Sequence, residues 1–328
     1  MASSEVGGGT ANVEFEALTG LSTAFLPGGS IAYSQYIKQP LPSLPRLLKE
    51  YGYTTIAVHP YVSTFWNRNK VYPLIGFDNF VTIKDMKDVS KKGNYASDDY
   101  FVHQIIAQYQ KYSADDKPLF VFGVSMQNHF PYSKGVYGQN DIKITGNGLG
   151  SYKTGMFECY SQGISDADAS LKTLIDYFKT VDRPVNIVFF GDHFPALKGI
   201  ELNKLSAKTS VSPYIDRNSE YFDSLINKFT PVVFWSNYDA KIPNCEGHQY
   251  SSLSYSVLDF AGLPKNPYFS LLSQIGSELP IIQNGITVTP DGKIGSFKDS
   301  PKDVFEKARI INYDSIFGKR YALEDLWH

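Results

Sequence analysis

Four short apolar runs constrain this chain more than any other feature. They are residues 54–58 (Thr-Thr-Ile-Ala-Val), 118–125 (Pro-Leu-Phe-Val-Phe-Gly-Val-Ser), 185–189 (Val-Asn-Ile-Val-Phe) and 231–235 (Pro-Val-Val-Phe-Trp). Each is rich in β-branched or aromatic residues and lacks the polar/apolar alternation of a half-exposed strand, so it reads as a strand covered on both faces, the habit of parallel sheets. Residues 44–51, 97–112 and 157–178 have helical periodicity, and the last places Ala167, Leu171, Leu174, Ile175 and Phe178 on one face. Strands alternating with helices of this length predict βαβ units: an α/β fold, a three-layer sandwich with a mainly parallel central sheet.

Residues 135–152, rich in Gly, Asn and Ser, read as an excursion loop at the carboxyl edge of that sheet. After residue 264 the apolar segments shorten to 279–283, 285–289 and 293–297, separated by Asn284-Gly285 and Asp291-Gly292, which are hairpin signals. The expected organisation is one large α/β domain over 1–264 and a small β-rich extension over 265–328 packed on it.

At 328 residues and 42% hydrophobic content the chain buries a sizeable core. A net charge of −2, from 31 basic and 33 acidic residues, gives no general attraction for nucleic acid or an acidic membrane, so any anion must be bound locally. Cys159 and Cys245 are too few for a disulfide framework or a four-sulfur metal site and are expected unpaired. No stretch approaches the ~20 apolar residues of a membrane span. Met1-Ala2-Ser3-Ser4-Glu5-Val6 lacks the regions of a signal peptide. The chain as written is expected to be soluble and monomeric. It opens in a glycine run without the strand that normally begins an α/β domain.

Chemistry-bearing residues gather where strands should end. Phe190-Gly191-Asp192-His193-Phe194 presents a carboxylate and an imidazole, a hard and a borderline metal ligand, at the carboxyl end of its strand. A helix cap at Asp192 is the ordinary alternative. Gly7-Gly8-Gly9-Thr10 enters a helix, a place suited to phosphate, where a metal-bound Thr hydroxyl can attack phosphorus; an N-cap Thr is the alternative. Without a Gly-Lys-Ser/Thr ending it is not a P-loop. After 54–58 come His59 and Thr64-Phe65-Trp66-Asn67-Arg68, an aromatic plate beside a guanidinium able to grip phosphate. After 118–125 comes Met126-Gln127-Asn128-His129-Phe130-Pro131-Tyr132. Trp66 plugging a core, Arg68 pairing with Asp78 and His129 as a satisfied loop histidine are the alternatives there.

Residues 8–16, 64–68, 128–132 and 191–193, in that order, resemble the motifs of lipoteichoic acid synthase and related phosphoglycerol transferases of the sulfatase and alkaline phosphatase superfamily. The resemblance implies Thr10 as nucleophile and metal ligand, and Asp192 and His193 as further ligands of a divalent metal, manganese with magnesium or zinc as alternatives. It implies Trp66, Arg68 and His129 as contacts of the glycerol phosphate. The implied reaction moves glycerol phosphate from a phosphatidylglycerol-like lipid, through a phosphothreonine, to a cell-envelope polyol or glycan at the extracellular face of the bacterial membrane. A full-length form is expected to contact the membrane. The family also takes a carboxylate ligand from its first strand, upstream of the nucleophile, and Glu5 is too close to Thr10 for that part. An inactive glycerophosphate-binding remnant is therefore one rival. A sulfatase is another, but neither cysteine lies in a Cys-x-Pro-x-Arg context. A phosphoethanolamine transferase should carry a richer histidine set than His59, His103, His248 and His328.

Overall fold

This computed structural model describes residues 1–114, 117–145, 148–197 and 215–327. In chain order the elements are α1 (Thr10–Thr19), α2 (Ala32–Gln35), α3 (Leu44–Glu50), β1 (Thr54–His59), α4 (Arg68–Leu74), β2 (Asn79–Thr82), β3 (Lys91–Lys92), β4 (Tyr95–Ala96), α5 (Asp98–Tyr112), β5 (Leu119–Gly123) and α6 (Gly150–Phe178). They continue with β6 (Asn186–Phe190), β7 (Val232–Ser236), α7 (Leu253–Phe260), α8 (Pro267–Glu278), β8 (Ile281–Gln283), β9 (Ile286–Val288), β10 (Ile294–Ser296), α9 (Lys302–Ile316) and α10 (Tyr321–Trp327). The described residues form two compact units. The first comprises 1–47, 186–196 and 215–327, and the second 48–114, 117–145, 148–185 and 197.

The second unit contains the parallel sheet expected of an α/β chain, in the order β2-β1-β5. Central β1 pairs with β2 from Ile56↔Asn79 to His59↔Thr82, and with β5 from Thr54↔Leu119 to Val58↔Gly123. Thr55 to His59 are buried throughout, the reason this run shows no alternation. Helix α5 starts where Ser97 Oγ accepts the Tyr100 N–H, with Asp98 and Asp99 in its first turn against the positive end of the helix dipole. Its Tyr109 meets Phe178 of α6 edge to face, ring centroids 5.1 Å apart. Helix α6 begins at Gly150, seven residues before the sequence expectation, and absorbs the end of the expected excursion loop. Residues 146 and 147 of that loop lie outside the described residues.

The first unit is built around α1, in which every residue from Ala11 to Thr19 is buried. Such a helix is central, so it has no polar face to show water. Here β6 and β7 pair antiparallel, Asn186↔Ser236 through Phe190↔Val232. These two strands are not covered on both faces as expected, since Phe189 and Val233 are exposed, and an apolar run carries no direction, so a parallel expectation and an antiparallel outcome look alike in sequence. After residue 264 the hairpin signals become the β8-β9-β10 meander, turned at Asn284 (φ 51°) and Gly285 (φ 82°), the left-handed pair that a tight hairpin needs. Helices α8, α9 and α10 accompany it, so the extension holds more helix than strand. Asn266 caps α8 by accepting the Phe269 N–H at 3.1 Å with Pro267 in the first turn, and buries Phe269, Leu272 and Ile275 at helical spacing.

Candidate active site

In the first unit a short extended segment brings Thr10 to Asp192. Val6 bridges Phe194 in parallel, and the Gly7 N–H donates to the Phe194 carbonyl at 2.8 Å. Gly9 then turns the chain into α1 at φ 92°, and a Cβ there would lie 2.6 Å from Glu5 Cδ, so only glycine fits. Gly9, not Thr10, occupies the N-cap position. The Thr10 hydroxyl donates instead to Asp192 Oδ2 at 2.6 Å.

Asp192 also accepts the His193 N–H at Oδ1, 3.0 Å, and its Oδ2 lies 3.2 Å from His193 Nε2. His193 Nδ1 donates to the Phe194 carbonyl at 2.8 Å, which leaves Nε2 as the ring's lone pair. A lone pair facing a carboxylate oxygen needs a proton or a cation between them. Donor atoms of a tetrahedral site with metal–ligand distances of 2.0–2.1 Å stand about 3.3 Å apart. Asp192 Oδ2 and His193 Nε2, 3.2 Å apart, fit that spacing, and Thr10 Oγ1 is held against Asp192 Oδ2 at 2.6 Å as a hydrogen-bond donor. The three atoms match a divalent ion in ligand type, and a backbone carbonyl orients the histidine as outer partners of metal ligands do. Among the described residues no group of three His, Cys, Asp or Glu side chains could hold a metal.

The cluster is braced from below. The fully buried Tyr250 hydroxyl donates to the Gly191 carbonyl at 2.7 Å and pairs with Thr230 Oγ1 at 2.7 Å. Asn12 donates from Nδ2 to Glu5 Oε1 at 2.6 Å and to the Ser30 carbonyl at 2.9 Å, while its Oδ1 accepts the Ala32 N–H at 2.9 Å. Burial raises the pKa of Glu5, against the opposing pull of that hydrogen bond, Lys228 and His193. Glu16 is fully buried one turn further along α1, and desolvation raises its pKa to about 7 despite hydrogen bonds from Thr23.

The second unit gathers the other candidates around Phe65. The Arg68 guanidinium lies 5.5 Å from the Phe65 ring centroid, Trp66 5.4 Å and His129 6.0 Å. Trp66 and Asn67 both adopt left-handed backbone, φ 56° and 57°, a strained pair of the kind found at binding sites. Arg68 is 1% exposed. Its Nη1 donates to the Phe65 carbonyl at 3.3 Å and to His59 Nε2 at 3.2 Å. His59 can accept because its Nδ1–H is committed to the Val124 carbonyl at 2.8 Å; burial, then the Arg68 charge, lowers its pKa to about 3. Asp78, the alternative partner for Arg68, is held by Lys49 at 2.6 Å and by Thr55.

His129 stands beyond β5 on a loop pinned to two helices. Gln127 accepts the Asp98 N–H at 2.8 Å and donates to Asp166 at 2.7 Å; Asn128 donates to Asp98 at 3.2 Å and to the Gly163 carbonyl at 2.9 Å. Burial, reinforced by Asp166, raises Asp98 to about 6 against a hydrogen bond from Ser125. His129 Nδ1 contacts the Phe130 carbonyl at 2.8 Å and the Tyr95 hydroxyl at 3.4 Å, and its ring stacks on Phe130 at 4.6 Å.

The structure therefore assembles Thr10, Asp192 and His193 in one unit, and Trp66, Arg68 and His129 in the other. Sequence reasoning left Asn12, Tyr95 and Tyr250 unmarked and gave His59 no role. A run-by-run reading had no signal for Tyr250, whose partner Gly191 is 59 residues away.

A hydroxyl at a helix start beside an Asp-His pair, on an α/β frame, is an arrangement suited to phosphoryl or sulfuryl transfer. Residues 1–263 match the Sulfatase family, and the chain belongs to it. A putative cyclic beta-1,2-glucan modification protein of Rhizobium meliloti (strain 1021) is 37% identical over 327 residues, 98% of this chain and 50% of the relative. Lipoteichoic acid synthase 2 of Bacillus subtilis (strain 168) is 24% identical over 301 residues, 87% of this chain and 44% of the relative. The chain thus spans about half the length of these curated relatives. The Streptococcus pyogenes phosphoglycerol transferase GacH, solved with sn-glycerol-1-phosphate, shares the fold at a TM-score of 0.77 and 23% identity, over 99% of this chain and 78% of GacH. Among the described residues no helix is long and apolar enough to cross a membrane.

Proposed function

We propose that this protein is a phosphoglycerol transferase. It takes glycerol phosphate from a phosphatidylglycerol-like lipid and delivers it to a glycan of the cell envelope at the outer face of the bacterial membrane. The observation that carries this reading is the 2.6 Å hydrogen bond from the Thr10 hydroxyl to Asp192, with His193 against the same carboxylate oxygen. A hydroxyl so placed has a base for its proton and a helix N-terminus for the phosphate. The glucan named for the Rhizobium relative supports a glycan acceptor.

In this reading Thr10, Asp192 and His193 hold a divalent ion, manganese with magnesium or zinc as alternatives, which supplies Lewis-acid stabilisation of the threonine oxygen. Thr10 Oγ1 bonds to phosphorus as the bond to the diacylglycerol oxygen breaks, and that oxygen leaves with a proton. Phosphothreonine carries the glycerol phosphate until an acceptor hydroxyl attacks phosphorus, gives up its proton and frees Thr10. For Arg68, Trp66 and His129 of the second unit the resemblance implies contact with the glycerol phosphate: a guanidinium suits phosphoryl charge, an indole the glycerol, and an imidazole a phosphate hydrogen bond or a proton.

The test is incubation with fluorescent phosphatidylglycerol, manganese and a β-glucan. Labelled diacylglycerol and a glycerophosphorylated glucan are expected from the parent, and neither from Thr10→Ala. Release by Thr10→Ala equal to the parent would refute the nucleophile. Glycerol phosphate binding without release would favour the remnant reading.

A further inference from the structure

Helix α9 has two apolar faces. Val304, Ala308, Ile311 and Ser315 are buried, the inward stripe that any packed helix needs. Ile310, Tyr313 and Phe317 follow one another at i, i+3 and i+7, so they form a second line, and they are 53%, 57% and 43% exposed. Tyr321, at the start of α10, is 62% exposed. Folding alone does not require four large apolar side chains in a row on a surface.

The neighbouring segment extends this stripe and gives it a charge. Tyr36 meets Phe317 edge to face at 5.2 Å, and the Arg320 guanidinium donates to the Pro40 carbonyl. Arg46 lies close enough to Arg320 to repel it. The Lys319 ammonium stands 6.0 Å from the Tyr321 ring centroid, and Lys38 is exposed two residues beyond Tyr36. Positive charge thus gathers at the Phe317–Tyr321 end of the aromatic line: Lys319 beside Tyr321, Arg320 with Arg46 near it, and exposed Lys38 on the segment that carries Tyr36. Glu306 is occupied by Arg309 at 2.7 Å, and Asp314 accepts the Arg320 N–H at 2.9 Å. Exposed Glu324 and Asp325 on α10 end the basic surface beyond Tyr321.

We infer that this stripe is a docking surface for an anionic lipid bilayer. Tyrosine and phenylalanine rings suit the headgroup boundary, where one end is apolar and the other wet, and long lysine and arginine stems carry their charges to lipid phosphates from beside an apolar patch. The inference goes beyond the transferase reading and is independent of it, since the stripe contains none of the candidate active-site residues.

Cosedimentation with vesicles of phosphatidylserine in phosphatidylcholine tests it, because phosphatidylserine offers no glycerol headgroup to Thr10. The parent is expected to bind these vesicles, to release in high salt and to ignore pure phosphatidylcholine. Lys38→Gln and Lys319→Gln should each weaken binding by about fivefold. The pair Tyr313→Ser and Phe317→Ser should weaken it by more than about tenfold, with an unchanged circular dichroism spectrum because both positions are exposed. Thr10→Ala should bind like the parent. No binding, equal binding to both vesicle types, or indifference to the Tyr313/Phe317 pair would overturn the proposal. So would a dimer in sedimentation velocity that the same pair abolishes, since a second copy would then cover the face.

Discussion

At the scale of single residues, two buried groups hold charge states that water would not give them, in opposite directions. Glu16 is pushed up to about 7, so between its ordinary 4.5 and 7 the folded protein keeps a proton that the unfolded chain has released. Stability from this group is full below pH 4.5 and falls as pH rises toward 7. Glu16→Gln should therefore raise urea-measured stability at pH 8 by on the order of 3 kcal/mol and leave it nearly unchanged at pH 4. A pH-independent difference would contradict the assignment. His59 is held down to about 3 against an ordinary 6.5, so the unfolded chain takes up the proton first. Its contribution is intact above pH 6.5 and is lost on acidification at about 1 kcal/mol per pH unit. His59→Leu should flatten that acid limb. It should also cost about 1–3 kcal/mol at neutral pH, because the Val124 carbonyl and an Arg68 N–H lose their partner.

At the scale of elements, what matters is how closely a loop is tied to the helices beneath it. Gly163 in α6 admits the Asn128 side chain so closely that an added Cβ would lie 1.8 Å from Asn128 Oδ1. Alanine normally favours a helix over glycine by about 1 kcal/mol. Here Gly163→Ala should instead destabilise by about 1–3 kcal/mol, read by thermal denaturation, and release the loop that carries His129. Most elements were legible in the sequence: β1, β5, β6 and β7 fall on the four apolar runs, and α5 begins one residue inside its expected span. The helices after residue 264 were not, because Asn284-Gly285 and Asp291-Gly292 are strong local signals that drew attention from the i, i+3, i+6 spacing of Phe269, Leu272 and Ile275.

At the scale of the whole molecule, the proposed metal site would join residues far apart in sequence, Thr10 with Asp192 and His193. Isothermal titration with manganese should show one site in the parent, lost or weakened at least about tenfold in Asp192→Ala and in His193→Ala. Retention of full affinity by both variants would place any metal elsewhere. Sequence by itself determined the α/β class, the strand ends on which chemistry-bearing residues gather, and the family whose motifs run in this order. Those are local or ordered properties: periodicity, residue type and succession along the chain. The direction of β7, the release of Thr10 from the N-cap to Asp192, the neutral His59 beneath Arg68 and the brace of Tyr250 under Gly191 were decided only by tertiary structure. A hydrogen bond of 2.6 Å between residues 182 apart, or a histidine made neutral by burial, depends on distance and desolvation, and neither exists until the chain has folded.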